Sequence, residues 1–179
     1  ELFVMDDGWF GDKYPRKNDS SSLGDWVEDK NKLPNGIEGL LSDAKKHGVK
    51  FGIWIEPEMA NTTSELYEKH PDWVLKASER DVVLGRGGTQ VVLDLANPAV
   101  QDFVFGVVDN LMTSYPEIDY IKWDANMSVQ NHGSQYLTKD NQSHMYIEFH
   151  RGFEKICQRI RAKYPDLTIQ ACASGGGRA

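Results

Sequence analysis

Cysteine is scarce in this chain. Two thiols among 179 residues, Cys157 and Cys172, cannot build the network of bridges that staples small secreted domains. Cys157 falls in a helical pattern and Cys172 at a strand end, so both are read as free. Basic charge is also in deficit. Lys and Arg number 20 against 27 acids, for a net charge of −7 and a pI near 5.2. That balance argues against nucleic acid and against an anionic membrane as partners. No apolar run approaches the roughly 20 residues a transmembrane helix needs, and no signal-peptide pattern is present. No Gly-x-Gly-x-x-Gly opens a helix, and no Gly-x-Ser-x-Gly or legible Ser-His-Asp set points to acyl transfer. His47, His70, His132, His144 and His150 lack metal-ligand spacing, and no Asp-x-Asp-x-Asp run stands among the acids. Neither a metal nor a cofactor is expected. Internal repeats and low-complexity segments are missing as well.

What is present is an ordinary globular chain, 40% apolar, long enough for one domain with a real core. It begins inside a strand pattern, Glu1-Leu2-Phe3-Val4-Met5, and finishes on the run Gly175-Gly176-Gly177, which suggests a piece of something larger. Four Asn-x-Ser/Thr sequons, at Asn18, Asn61, Asn126 and Asn141, are read as coincidence. They fit an unglycosylated setting of bacterial type, cytoplasmic or periplasmic.

Compact apolar runs, rich in β-branched and aromatic residues, predict strands at 2–5, 49–55, 91–95, 118–124 and 167–172. Helical spacing predicts an amphipathic helix around Ile37, Leu40, Leu41 and Ala44, closed by Gly48. A second begins at Asn97 as N-cap with Pro98 after it and ends at Tyr115-Pro116. A long helix covers 143–164 with Tyr146, Phe149, Phe153, Ile156 and Ile160 turned inward, and Ser64 caps a short one through Tyr67. Residues 11–36 are polar and irregular, a loop long enough to be functional or mobile. Strands alternating with helices imply βαβ units and a parallel sheet.

The chemistry-bearing groups follow strands. Asp6-Asp7-Gly8-Trp9-Phe10 ends the first, Glu56-Pro57-Glu58-Met59 the second, and Lys122-Trp123-Asp124 the strand at 118–124. A (β/α)8 barrel concentrates its functional residues at that end of its strands. A doubly wound sheet obeys a similar rule, and periodicity alone leaves both open. Alternation puts Tyr120, Lys122 and Asp124 on one face and Ile121 and Trp123 on the other. A lysine beside Asp124 holds its carboxyl ionised, which suits a nucleophile and not a general acid, so the acid must be another carboxyl. Asp6, Asp7 and Arg86 suit sugar hydroxyls. Trp9, Trp54 and Trp123 offer flat faces to a pyranose, although each is also an ordinary core residue.

These motifs resemble the retaining α-galactosidases of glycoside hydrolase family 36. The resemblance rests on Asp6-Asp7-Gly8-Trp9-Phe10, Leu23-Gly24-Asp25-Trp26, Leu33-Pro34-Asn35-Gly36 and the run from Phe51 to Met59. It continues through His70-Pro71-Asp72-Trp73, Lys122-Trp123-Asp124 and Cys172-Ala173-Ser174-Gly175-Gly176-Gly177-Arg178. It implies an incomplete (β/α)8 barrel of about four βα units, roughly the second to fifth of eight. Residues 1–179 would be part of one catalytic domain, without the preceding β-sandwich and the remainder of the barrel.

By the resemblance Asp124 is the nucleophile, Asp6 and Asp7 bind galactose hydroxyls, and Trp54, Lys122, Cys172 and Gly175 line the sugar pocket. Arg86 is the best match to a substrate-binding arginine, although Gly87-Gly88-Thr89 lengthens the gap before Gln90. Asn126 matches the asparagine after the nucleophile, where many relatives read Met-Asn-Arg and this chain has Ala125-Asn126-Met127. The acid/base is expected in a later strand-end loop, so the chain alone is expected to be inactive. The substrate implied is an α-galactoside oligosaccharide, with a homo-oligomer left open for the full-length protein. Alternatives are an α-N-acetylgalactosaminidase, a galactosyl-transferring relative, or a non-catalytic galactose-binding domain.

Overall fold

The computed structural model describes residues 1–130 and 133–173. In chain order its elements are β1 (Leu2–Met5), α1 (Gly36–Lys46), β2 (Lys50–Ile55), β3 (Met59–Asn61), α2 (Glu65–Lys69), β4 (Gln90–Val92), α3 (Pro98–Ser114), β5 (Ile118–Trp123), α4 (Met145–Lys163) and β6 (Thr168–Ala171). Single 3₁₀ segments lie at Pro71–Trp73 and Lys139–His144. The strands β1, β2, β5 and β6 form one sheet in that order, each parallel to its neighbour. With α1, α3 and α4 packed over one face, this is an arc of a (β/α)8 barrel.

Helix starts and stops follow the local chemistry. Asn97 accepts the Ala99 N–H at the head of α3, and Pro98 occupies its first turn. Ser64 Oγ accepts the Tyr67 N–H at α2, and the Asp25 carboxylate accepts the N–H groups of Glu65 and Leu66 from across the chain. Gly48, at φ +65, takes the left-handed turn that leads from α1 into β2.

The helix-side face is sealed. Phe51, Ile53, Ile55, Ile121 and Trp123 pack beneath Val100, Val104, Val107, Val108 and Leu111 of α3 and Phe149, Ile156 and Ile160 of α4, all buried. The opposite face carries Gly52, Trp54, Tyr120, Lys122 and Gln170. Gly52 lies opposite Tyr120, and a β-carbon there would sit 3.0 Å from the tyrosine side chain, so a larger residue would have to displace that ring.

Two expectations need correction. The run at 91–95 is not a strand of the parallel sheet. Its ordered part is β4, which pairs antiparallel with β3 in a separate two-stranded ribbon between β2 and α3. Leu93 N–H donates to Glu58 O and Asp94 N–H to Trp73 O. A fully buried run looks alike in either setting, and here the turn after β2 supplies its partner. Tyr146 is not inward: it is 38% exposed and Met145 is buried instead. Met145, Phe149, Gly152, Ile156 and Ile160 form one buried stripe at helical spacing, and Tyr146 lies one position off it.

Residues 11–36 are packed, not free. Arg16, Leu23 and Asp29 are buried there, and Gly11 and Asp29 donate to the carbonyls of Val27 and Trp9. Phe10, Trp26 and Trp54 cluster, with the Phe10 and Trp54 rings parallel at 6.1 Å.

Candidate active site

The site forms where β1, β2, β5 and β6 end. Asp124 follows β5 and stays paired to β2, its N–H donating to Ile55 O at 2.8 Å. Alternation holds through it, so Asp124 shares a face with Lys122 and Tyr120. The residue is 7% exposed. Its Oδ2 accepts from Asn126 Nδ2 at 2.7 Å and from Trp54 Nε1 at 3.1 Å, and its Oδ1 from the Ala125 N–H at 3.0 Å. The Cys172 thiol, brought alongside by β6, adds a further bond. Burial pushes the Asp124 carboxyl up, but the bonds from Asn126, Trp54, Cys172 and the Ala125 N–H outweigh it and hold the pKa below its ordinary value. An ionised, oriented carboxylate results.

The origin of that ionised state differs from the sequence expectation. Lys122 Nζ is bound to Asp6 Oδ2 at 2.7 Å, not to Asp124. Its own pKa is raised chiefly by Asp6, with a smaller electrostatic contribution from Asp124. Asp6 is lowered in turn: burial raises it, and the bonds from Lys122 and the Asp7 N–H prevail. The two adjacent acids then part company. Asp7 is gripped bidentately by Arg16, Nε to Oδ1 at 3.0 Å and Nη2 to Oδ2 at 2.6 Å.

Arg16 was not singled out by any sequence pattern, because it lies in the irregular stretch after β1. It is 4% exposed and also donates to Ser21 O, Asn61 Oδ1 and Asp19 Oδ1. Asp19 in turn lies 3.6 Å from Arg86, so one chain of charges runs from Asp7 to Arg86. Arg86 adopts φ +48 in the loop before β4.

The tryptophans resolve into distinct tasks. Trp9 and Trp123 are core residues: Trp9 donates to Trp54 O, and Trp123 packs edge-on against Phe153 and donates to Glu58. Trp54 is 2% exposed, so what it presents at Asp124 is its indole N–H. The amides of Asn61 and Asn126 are both committed, Asn61 to Asp19 O and Thr89 O and Asn126 to Asp124. Gly175 lies outside the described residues. Among the described residues no group of three or more His, Cys, Asp or Glu side chains is placed to hold a metal ion.

Glu56, flagged in the sequence only as an acid at a strand end, proves central. It shares the face of Trp54 by alternation and is 1% exposed. It accepts the backbone N–H of Asn126. Burial is the main reason its pKa is pushed up to about 7; the Asn126 N–H opposes the shift, Asp124 adds to it, and Arg86 opposes it.

A parallel arc with an ionised, hydrogen-bonded aspartate and a sugar-suited set of acids at its C-terminal rim defines the class: a barrel of the glycoside hydrolase kind. Comparison with known proteins gives the family. The melibiase family profile matches residues 1–179. A probable α-galactosidase C of Aspergillus flavus is 42% identical over 99% of this chain and 23% of its own length. The α-galactosidase AgaA of Geobacillus stearothermophilus is 40% identical over 99% and 24%.

Among solved structures, an α-galactosidase from Lactobacillus brevis superposes with a TM-score of 0.92 at 42% identity, covering 99% of this chain and 23% of that one. Variants of AgaA solved with raffinose and with stachyose superpose with TM-scores of 0.92 at 39% identity, each over 99% of this chain and 24% of AgaA. The chain belongs to the melibiase family and spans about a quarter of the length of the relatives it matches.

Proposed function

We propose that residues 1–179 are part of one catalytic domain and that the protein containing them is a retaining α-galactosidase. The observation that carries this is Asp124, ionised and fixed by Asn126 at 2.7 Å and Trp54 at 3.1 Å. The relatives solved with raffinose and stachyose support oligosaccharides ending in α-linked galactose as the substrate class. The Asp124 carboxylate attacks the anomeric carbon while the bond to the leaving oxygen breaks, and that oxygen takes a proton from a second carboxyl about 5 Å away. The same carboxyl then removes a proton from water, which displaces Asp124 and releases galactose.

Glu56 does not supply the second carboxyl, since at 1% exposure it cannot reach a glycosidic oxygen. The acid/base is assigned to a later strand-end loop of the full-length protein, as the family resemblance implies. Asp6 and Lys122 face the substrate together, Asp7 is oriented by Arg16, and Cys172 lines the pocket beside Asp124; Gly175 is assigned to the sugar pocket by the family resemblance alone.

The test is Asp124→Asn in the full-length enzyme. Turnover of an aryl α-galactoside falls on the order of a thousandfold or more, and azide partly restores it as an external nucleophile. Retention of wild-type turnover overturns the reading. A panel of α-linked donors, including N-acetylgalactosaminides, then fixes the preference at the site.

A further inference from the structure

The ends of β2 and β5 hold two buried carboxyls joined by one residue. Asn126 donates its side-chain amide to Asp124 Oδ2 at 2.7 Å and its backbone N–H to Glu56. The side chain of Asn126 also reaches Glu56. Both acids belong to the same rim, because Asp124 N–H pairs with Ile55 O, the residue directly before Glu56. Glu56 is almost wholly out of solvent, makes no approach to a sugar, and still carries an ionisable group where an amide or an apolar residue would fill the space at lower cost.

We propose that Glu56 is a positioning residue for the nucleophile: its carboxyl fixes the Asp124–Asn126 turn through Asn126, and it does so in its neutral form. The inference rests on Asp124 being the nucleophile. In the neutral state Glu56 accepts the Asn126 N–H without placing a second negative charge beside Asp124. Once ionised, it competes with Asp124 for the Asn126 amide, and the turn that aims the nucleophile loosens. The charged groups facing Glu56 are Asp124 from the end of β5 and Arg86 from the loop before β4. Glu58, two residues on, accepts the Trp123 indole N–H. With the pKa of Glu56 near 7, its ionisation falls within the range where a glycosidase is assayed.

The test uses the full-length enzyme with an aryl α-galactoside and compares pH profiles of kcat and kcat/KM. Glu56→Gln keeps the acceptor for Asn126 and cannot ionise. It matches wild type within about threefold near pH 5, where Glu56 is neutral. It then exceeds wild type by about tenfold near pH 8, having lost the inflection at about 7. The change appears in kcat with KM unmoved, as expected of a group that aims the nucleophile and does not touch substrate.

Parallel profiles for Glu56→Gln and wild type overturn the proposal. A wild-type rate in Asp124→Asn would overturn the nucleophile reading and this inference together. An inactive Asp124→Asn with parallel Glu56→Gln profiles removes this inference alone.

Discussion

The ends of β2 and β5 present the same functional group in two states. Glu56 and Asp124 are both buried, both touch Asn126, and both follow strands that pair directly. Yet burial prevails at Glu56, whose pKa rises to about 7, and hydrogen bonds prevail at Asp124, whose pKa is lowered. The number and aim of the donors decide it. Asp124 receives an indole N–H, a side-chain amide, a thiol and a backbone N–H, which replace the lost water. Glu56 receives Asn126, next to a like charge, with Arg86 as its opposing charge. Two carboxyls whose environments drive them apart in this way are how a fold divides one functional group between two tasks.

That contrast can be broken at several points, beginning with the shared partner. Asn126→Ala strips Asp124 of its shortest bond, so kcat falls about a hundredfold and the acid limb of kcat/KM moves to higher pH. The sign follows from the lowered pKa: Asp124 must be ionised, activity is lost as pH falls through its pKa, and losing a donor raises that pKa. Trp54→Phe removes a donor from Asp124 alone. It costs about tenfold in kcat and shifts the acid limb the same way while leaving the inflection near 7 in place. A Trp54→Phe enzyme with an unmoved acid limb would show that the indole bond does not set the Asp124 charge.

Stability provides the next measure. Arg16→Met leaves the exposed Asp7 without its bidentate partner and Asn61 with a lost donor, and unfolding should become easier by about 1–3 kcal/mol. Denaturant titration of the full-length protein checks this.

For Glu56 the linkage runs opposite to the usual carboxylate. Between its ordinary value of 4.5 and about 7 the folded state holds a proton that the unfolded chain has released. Stability therefore declines as pH rises through that window. Glu56→Gln should flatten the slope of Tm against pH there, and an unchanged slope would place the proton elsewhere. At the other end of the strands, Lys50 and Asp119 form an exposed pair at 3.7 Å. Asp119→Asn should change stability by about 0.5 kcal/mol or less.

Much of this was legible in the residues. Alternation alone put Asp124 on the face of Lys122, and β-branched and aromatic runs located all four parallel strands. Asn97-Pro98 and Ser64 announced helix starts that the caps match. Local patterns sufficed because period, capping and turn preferences are properties of neighbouring residues. The β3–β4 ribbon was not legible, since a buried run near Val91 carries no record of which strand it pairs with. Nor was the partner of Lys122, which lies 116 residues away at Asp6.

By itself, then, the sequence determined that this chain alternates strands with helices, gathers its acids at strand ends, and sets Asp124 on the same face as Lys122. Tertiary structure decided how far Asp6, Asp124 and Glu56 are shifted from their ordinary values. Desolvation and many of the donors come from residues distant in the chain: Trp54 and Cys172 at Asp124, Lys122 at Asp6, and Asn126 and Arg86 at Glu56. A carboxyl's pKa depends on that three-dimensional surrounding as well as on near neighbours such as Asn126 and Ala125 at Asp124.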